Sequence, residues 1–386
     1  MMRSNRARLL FVTASVVTLL SLRAVAGPGG KDPATRALTI FSDVFALTRS
    51  NYVESVDSQT LLEGAYDGMS DALDAFSFYV PAAERAAFRA HEESGAINPG
   101  LVVARRGGFP YVVGVVPGSP AATAGVAAGD LIDSVDGKSL RHAPLWRVRA
   151  AVAGPEGSRV DLALFRPSDE KRVHVRVTRG KFKPEAGTSR IDSGVLVAKV
   201  PAVSPATAGE LRKAIDDAKA KGATSLVLDL RGAIGGEMAD AAAAAGLFTG
   251  KGTVARLVTR KLESKSLEST GEKIWNGRTV VLVDDATGGA SEVLAAALRD
   301  RAGATTVGET TIGMAIQQKL VPTESGGSLF LTIGRYVSPN GTPLGNRGLT
   351  PDERVVTYPG DADGRDAILE RAMELARETT PARRAA

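Results

Sequence analysis

The spacing of apolar residues changes character several times along this chain, and the changes divide it. Residues 9–22 are one mostly apolar run. Between about residues 33 and 90 the period is helical: Leu62, Tyr66, Met69 and Leu73 step along one face of a 3.6-residue repeat. Glycines at 95 and 100 close that stretch. From about residue 96 to 180 the pattern shortens to β-type runs at 101–103, 111–116, 160–165 and 173–177, separated by Gly/Pro turns. From about residue 183 strands alternate with helices, as in an α/β layer architecture. There, 226–230 and 280–283 read as buried strands and 291–298 as a helix. A last helix is expected near 365–377, before a basic tail.

The first run has the grammar of an export signal. Arg3, Arg6 and Arg8 precede it, and Ala24-Val25-Ala26 offers a small-x-small cleavage site before Gly27. At residues 9–22 the run is shorter than the roughly 20 residues that span a bilayer. Membrane contact is therefore expected only if the segment stays uncleaved, and the expected location is the periplasm or cell envelope. Four arginines in this segment supply most of the formal charge of +5. What remains carries about +1 with both signs interspersed, so nucleic acid is not an expected partner.

Removal of the segment leaves about 360 residues, more than one core usually organises. The expected units are a signal peptide at 1–26, a helical unit at 27–95, a β module at 96–180, an α/β core at 181–360, and a terminal helix with a basic tail at 361–386. The chain has no cysteine and three histidines, His91, His142 and His174, widely separated. Disulfides and a thiolate metal site are thus excluded, a histidine metal site is not expected, and no cofactor is implied.

Within 96–180 stand Gly118-Ser119-Pro120-Ala121, Ala124-Gly125-Val126, Gly129-Asp130-Leu131-Ile132 and Val135-Asp136-Gly137. The series resembles a PDZ domain of the bacterial protease type. Such domains add a peptide as a strand to a sheet edge and hold its terminal carboxylate on backbone N–H groups. The resemblance implies a carboxylate loop at Pro99, Gly100, Leu101 and Val102, with Gly100 allowing the backbone to approach the anion. Peptide or protein C-termini are then the expected partners.

Outside that module, Asn51-Tyr52-Val53, Gly68-Met69 with Leu73-Asp74, Asp229-Leu230-Arg231-Gly232 with Gly235-Gly236, Gly308-Glu309-Thr310-Thr311-Ile312-Gly313 and Gly348-Leu349-Thr350-Pro351-Asp352 follow one another. Their order resembles the carboxyl-terminal processing peptidases, or tail-specific proteases, over nearly the whole chain after the signal segment. The resemblance implies an α/β (α+β) peptidase core with an inserted PDZ domain and an N-terminal helical unit. It also implies acyl transfer by a Ser–Lys dyad, in which a buried neutral lysine activates the serine and backbone N–H groups hold the oxyanion.

The dyad residues are where this sequence departs from that pattern. Aligned on Ala290-Ser291-Glu292, the nucleophile position is Gly289. The lysine of the family's Thr-Phe-Gly-Lys-Gly falls on Met314, at the spacing the family uses. Glycine has no attacking atom, and a thioether cannot take up a proton at neutral pH. The two losses fit together, because a buried ammonium without its serine is only a desolvation cost, and methionine fills such a space readily. Around the two vacated positions the resemblance leaves Gly235, Gly236 and the Ala290 N–H for the oxyanion, with Asp300 and Gln318 as accessory polar residues. Ala233 stands where the family has Asn.

The expected protein is an exported, non-catalytic peptide- or partner-binding homologue, with an active peptidase relative as one conceivable partner. The alternatives are an active serine endopeptidase that cuts near C-termini through a site rearranged around Ser291, and an envelope protein whose PDZ unit only packs.

Overall fold

The structure, a computed structural model, describes residues 32–260, 264–356 and 366–378. The expected signal peptide and most of the basic tail lie outside the described residues. The chain divides after Ala65 into two units. The first holds helix α1 (Pro33–Asn51), with proline in its first turn. Helix α2 (Ser58–Asp71) starts where Asp57 Oδ2 accepts the Thr60 N–H at 3.0 Å, an N-terminal cap.

The helical stripe expected at Leu62, Tyr66, Met69 and Leu73 is only partly used. Leu62 and Tyr66 are half-buried, Met69 is exposed, and Leu73 lies past the end of α2. Asp74 ends the helical run by accepting the N–H groups of Phe76 and Ser77 at 2.8 and 2.7 Å. The next residues form a strand, β1 (Phe78–Val80), where a helix was expected. Aromatic and β-branched side chains favour it, and all three residues are buried. Helix α3 (Arg85–Glu93) follows.

The β module comprises β2 (Leu101–Arg106), β3 (Phe109–Val115), the one-turn α4 (Pro120–Thr123), β4 (Leu131–Val135), β5 (Lys138–Ser139), α5 (Leu145–Val152), β6 (Arg159–Arg166) and β7 (Lys171–Thr178). Its sheet runs β2-β3-β4-β6-β7, with β5 on β4, so β2 is an edge. The motifs read from sequence make its corners. Ser119 caps α4 by accepting the Ala122 N–H at 3.2 Å. Gly129 takes a left-handed φ of +86° before Asp130. The fully buried Asp130 carboxylate accepts two 2.8 Å bonds from Arg166 and one from the Ala127 N–H, so its charge is compensated.

The core is built on a sheet ordered β17-β14-β13-β10-β9-β8. Its strands are β8 (Thr188–Asp192), β9 (Val195–Lys199), β10 (Ser225–Asp229), β13 (Arg278–Val283), β14 (Thr305–Gly308) and β17 (Glu353–Arg354), parallel from β9 to β17. Both faces are covered, which explains the near-continuous apolar runs in sequence. Leu226, Leu228, Val281 and Val283 face a cluster with helices α6 (Thr207–Ala220), α7 (Met238–Thr249) and α8 (Ala290–Ala302). Val227, Val280 and Leu282 face α9 (Ala367–Arg377) on the other side. Alanines dominate the contact between α7 and α8, and small side chains let the two helices approach closely. A second sheet is ordered β1-β16-β11-β12 with β15 also on β16, using β11 (Gly252–Thr259), β12 (Lys265–Ser269), β15 (Ile316–Pro322) and β16 (Ser328–Val337). Strand β1 is thus an edge of a core sheet, paired to β16 from Phe78↔Phe330 to Val80↔Ser328.

Candidate active site

Three loops meet beyond the C-terminal ends of β10 and β13, the usual place for a site in a parallel sheet. The first, residues 230–237, leaves β10. Arg231 binds Asp229 and Asp366 through four hydrogen bonds of 2.7–2.9 Å, which fastens this loop to the start of α9. The second loop, 284–289, leaves β13. It is pinned to the first by the Gly288 N–H on the Ala233 carbonyl at 2.9 Å and the Gly232 N–H on Asp284 at 2.9 Å. The third, 311–315, joins through the Ile312 N–H on the Thr287 carbonyl at 3.1 Å.

Gly289 ends the second loop and opens α8 with φ +67° and ψ −118°. This sharp left-handed turn between a strand and a helix is the backbone shape that exposes a nucleophile at the head of a helix. A Cβ added at Gly289 would meet nothing nearer than the Gly235 carbonyl oxygen, at 3.6 Å. The space for a side chain exists, and no side chain occupies it. The N–H groups of Gly235 and Ala290 have no protein acceptor among the described residues, as suits donors waiting for an anion.

Glu292 joins the second loop to the third. It is fully buried in the first turn of α8. Its Oε2 accepts the N–H groups of Gly289 and Ala315, each at 2.9 Å, and its Oε1 accepts the Gly313 N–H at 2.7 Å and the Thr311 hydroxyl. The two expected dyad positions are therefore brought together, since residues 289 and 315 share one oxygen. Burial pushes the Glu292 carboxyl up to about 7, against the pull of those four hydrogen bonds. In sequence Glu292 stands only as part of the motif on which position 289 is aligned. A capping pattern, with Glu three residues after the N-cap, was the available signal.

Met314 keeps apolar company. It is half-buried against a cluster of Phe76, Ala104, Val113 and Ile234, which unites the core with β2 and β3 of the β module. Ile234, also missed from sequence, is the centre of this seam. A Cβ on Gly114 of β3 would stand 2.8 Å from its Cδ1, and one on Gly288 would stand 3.1 Å from its Cγ1. Gly114 thus makes room for Ile234, and Gly288 for both Ile234 and Ile312, whose Cγ2 would stand nearer, at 2.8 Å.

The remaining expected residues have varied places. Ser291 is fully buried within α8 and its hydroxyl has no hydrogen-bond partner among the described residues. Gly236 has φ +83°, and a Cβ there would lie 2.3 Å from the Val203 carbonyl oxygen, so this glycine serves a close backbone contact. Gln318 donates to the Phe76 carbonyl at 3.2 Å. Asp300 does not belong to the site: it is eleven residues along α8 from Gly289, about 16 Å at the helical rise. It binds Arg299, Ser338 and the Asn340 N–H, closing the turn after β16. Of the histidines, His91 is on α3, His142 packs on Phe109 and His174 is in β7, all in elements that precede the core sheet.

The expected carboxylate loop also differs in detail. Pro99, Gly100 and Leu101 are buried and Val102 is half-buried. The N–H groups of Gly100 and Leu101 are already held by Asn98 Oδ1, at 2.9 and 2.8 Å. Gly100 is needed for another reason than an approaching anion: a Cβ there would lie 2.2 Å from the Ser119 side chain.

Comparison with known proteins agrees with this layout. Residues 194–355 match peptidase family S41, residues 111–166 match a PDZ domain, and residues 25–83 match the N-terminal domain of the activating protease CtpB. The chain is 30% identical over 327 residues to the carboxy-terminal-processing protease of Bartonella bacilliformis, covering 82% of this chain and 74% of that one. It is 30% identical over 345 residues to the carboxy-terminal processing protease CtpA of Bacillus subtilis, covering 89% and 72%. Among solved structures, the photosystem II D1 C-terminal processing protease superposes with a TM-score of 0.61 at 23% identity, over 83% of this chain and 93% of that one.

Proposed function

This chain belongs to the carboxy-terminal processing proteases of peptidase family S41, and from that premise we propose that it is an exported member that binds peptide or protein ends without cutting them. The observation that carries the reading is the elbow at Gly289. The turn, its supporting carboxylate and the free N–H groups of Gly235 and Ala290 are in place, but no atom extends from the turn toward a substrate. Met314, in the position of the family's base, offers no lone pair that takes up a proton near neutral pH. Loss of a peptidase nucleophile lowers turnover by about a million-fold, so what the oxyanion donors alone contribute is slight.

What such a protein retains is recognition. The PDZ module offers a peptide groove, and a partner that binds there need not be released as product. An active peptidase of the same family is a fitting partner, since a shared fold brings shared substrates. The basic and apolar residues 3–26 support export.

The test is incubation of the mature chain with an unstructured protein ending in apolar residues. The expected result is intact substrate, with and without Ser291→Ala. Cleavage that disappears in the Ser291→Ala variant contradicts the reading.

A further inference from the structure

Helix α2 ends with two carboxylates and one cation to receive them. Asp67 and Asp71 stand four residues apart, on one face of the helix. The cation is Arg105 of β2, which is 8% exposed. It is committed to Asp71, with Nη2 at 3.3 Å from Asp71 Oδ2. Asp67 is left over. Its Oδ1 is buried without a hydrogen-bond donor among the described residues, and the Arg105 Nε–H is likewise without an acceptor. The other charges that act on Asp67 are Glu84, just before α3, and Arg147 of α5. Those two bind each other, with Arg147 Nε donating to Glu84 Oε2 at 2.9 Å. Three carboxylates thus meet two guanidiniums, and each guanidinium already has its carboxylate.

Carboxylates crowded into one desolvated place do not all stay ionised when one lacks a counter-ion. A proton supplies the missing positive charge. Burial raises the Asp67 carboxyl to about 6; Arg105 and Arg147 pull it down, and Asp71 and Glu84 push it further up. Burial raises Asp71 too, against the pull of Arg105. The contact also holds one wall of the candidate site. The Ala75 carbonyl accepts the Arg105 N–H at 3.1 Å, so the side chain and the backbone of one arginine fix the end of α2 and the residues that follow it. Phe76, next in line, belongs to the seam with Val113, Ile234 and Met314. Its carbonyl accepts from Gln318.

We infer that Asp67 is a proton-operated clasp. Neutral, it lets the end of α2 and residues 72–77 seat on Arg105; ionised, it loosens that seat and with it the Phe76 side of the candidate site. The seated state holds the Asp67 proton more firmly than an open one, in which the carboxyl returns to its ordinary 3.8. Seating is therefore firmest below that ordinary value, weakens as the pH rises, and levels off above about 6.

The experiment is native-state hydrogen exchange of the mature chain between about pH 4 and 7.5, corrected for the intrinsic rate at each pH. The Arg105 amide is the reporter, because its acceptor is the Ala75 carbonyl, and the amides of β10 are the reference. The opening equilibrium at Arg105, relative to β10, is expected to rise about 100-fold over this range and to level off at its upper end. Asp67→Asn, which is neutral throughout, should keep the low-pH protection at every pH. Asp71→Asn leaves Arg105 to Asp67 and should move the rise to lower pH. Opening at Arg105 that ignores pH overturns the inference. A rise that survives in Asp67→Asn assigns it to another carboxyl and also overturns it. An Asp67→Asn chain that is open at Arg105 at every pH, with β10 still protected, shows that the charge of Asp67 is needed for seating, the opposite of what the clasp requires. Where β10 also loses protection in that variant, Asp71→Asn decides: a rise that stays in place contradicts the clasp.

Discussion

Replacing Glu292 by Gln tests whether one buried carboxylate ties the elbow at Gly289 to the loop at 311–315. The carboxylate is surrounded by donors only: three backbone N–H groups and the Thr311 hydroxyl. An amide can present its oxygen to one pair of them, leaving its NH2 against the other pair. Below its folded value the carboxyl is protonated and neutral, so two hydrogen bonds at about 0.5–1.5 kcal/mol each are at stake, a loss of about 1–3 kcal/mol at acidic pH. The pH dependence is the more specific signature. Burial raises the carboxyl from an ordinary 4.5 to about 7 in the folded chain, so the folded state holds the proton more firmly than the unfolded one. The group's most favourable contribution is therefore present below the unfolded value and is lost as pH rises through the folded value. Between pH 5 and pH 8 the natural chain should lose about 2–3 kcal/mol relative to Glu292→Gln, which does not titrate. Urea unfolding at several pH values measures this, followed by fluorescence of Trp275, which is buried in the core, in a Trp146→Phe background that silences the β module. A difference between the two proteins that stays constant across that range, or that grows in favour of the natural chain, refutes the account of Glu292.

Two further substitutions test the surrounding frame. Ile234→Ala should empty the seam between Gly114 and Gly288, cost about 2–5 kcal/mol, and speed hydrogen exchange in β2, β3 and residues 311–315 together; exchange confined to one side would show that the seam does not couple them. Gly236→Ala forces a Cβ to 2.3 Å from a backbone oxygen, whereas Gly235→Ala meets open space, so both bear a left-handed strain of about 1–2 kcal/mol but only the former should show a much larger fall in Tm. Equal falls contradict the close contact at Val203.

Much of the fold was legible because its signals are local. The strands of the β module follow period-two runs, and its corners follow Ser119, Gly129 and Asp136-Gly137, each of which acts within a few residues of itself. The core strands at 225–229 and 278–283 were equally plain, since a sheet covered on both faces needs unbroken apolar runs. Strand β1 was not legible. Its three residues sit in a helix-patterned stretch and become a strand only by pairing with β16, some 250 residues away. The site divides in the same way. Motif spacing gave 289 and 314 as the expected dyad positions, whereas the carboxylate that joins their loops and the isoleucine at the seam depend on tertiary neighbours. Asp300 was misplaced for the converse reason: a position in a motif does not reveal that a helix carries it about 16 Å away.

The central claim is that the chain has the frame of a peptidase site without its reagents, and one comparison tests it most directly. The mature natural chain and its Gly289→Ser, Met314→Lys double variant are incubated with an unstructured protein ending in apolar residues, and cleavage products are identified by mass. The space at Gly289 admits a serine at a strain of about 1–2 kcal/mol, so the account predicts an inert natural chain and a variant that cuts. A natural chain that cuts, with activity abolished by Ser291→Ala, would contradict it.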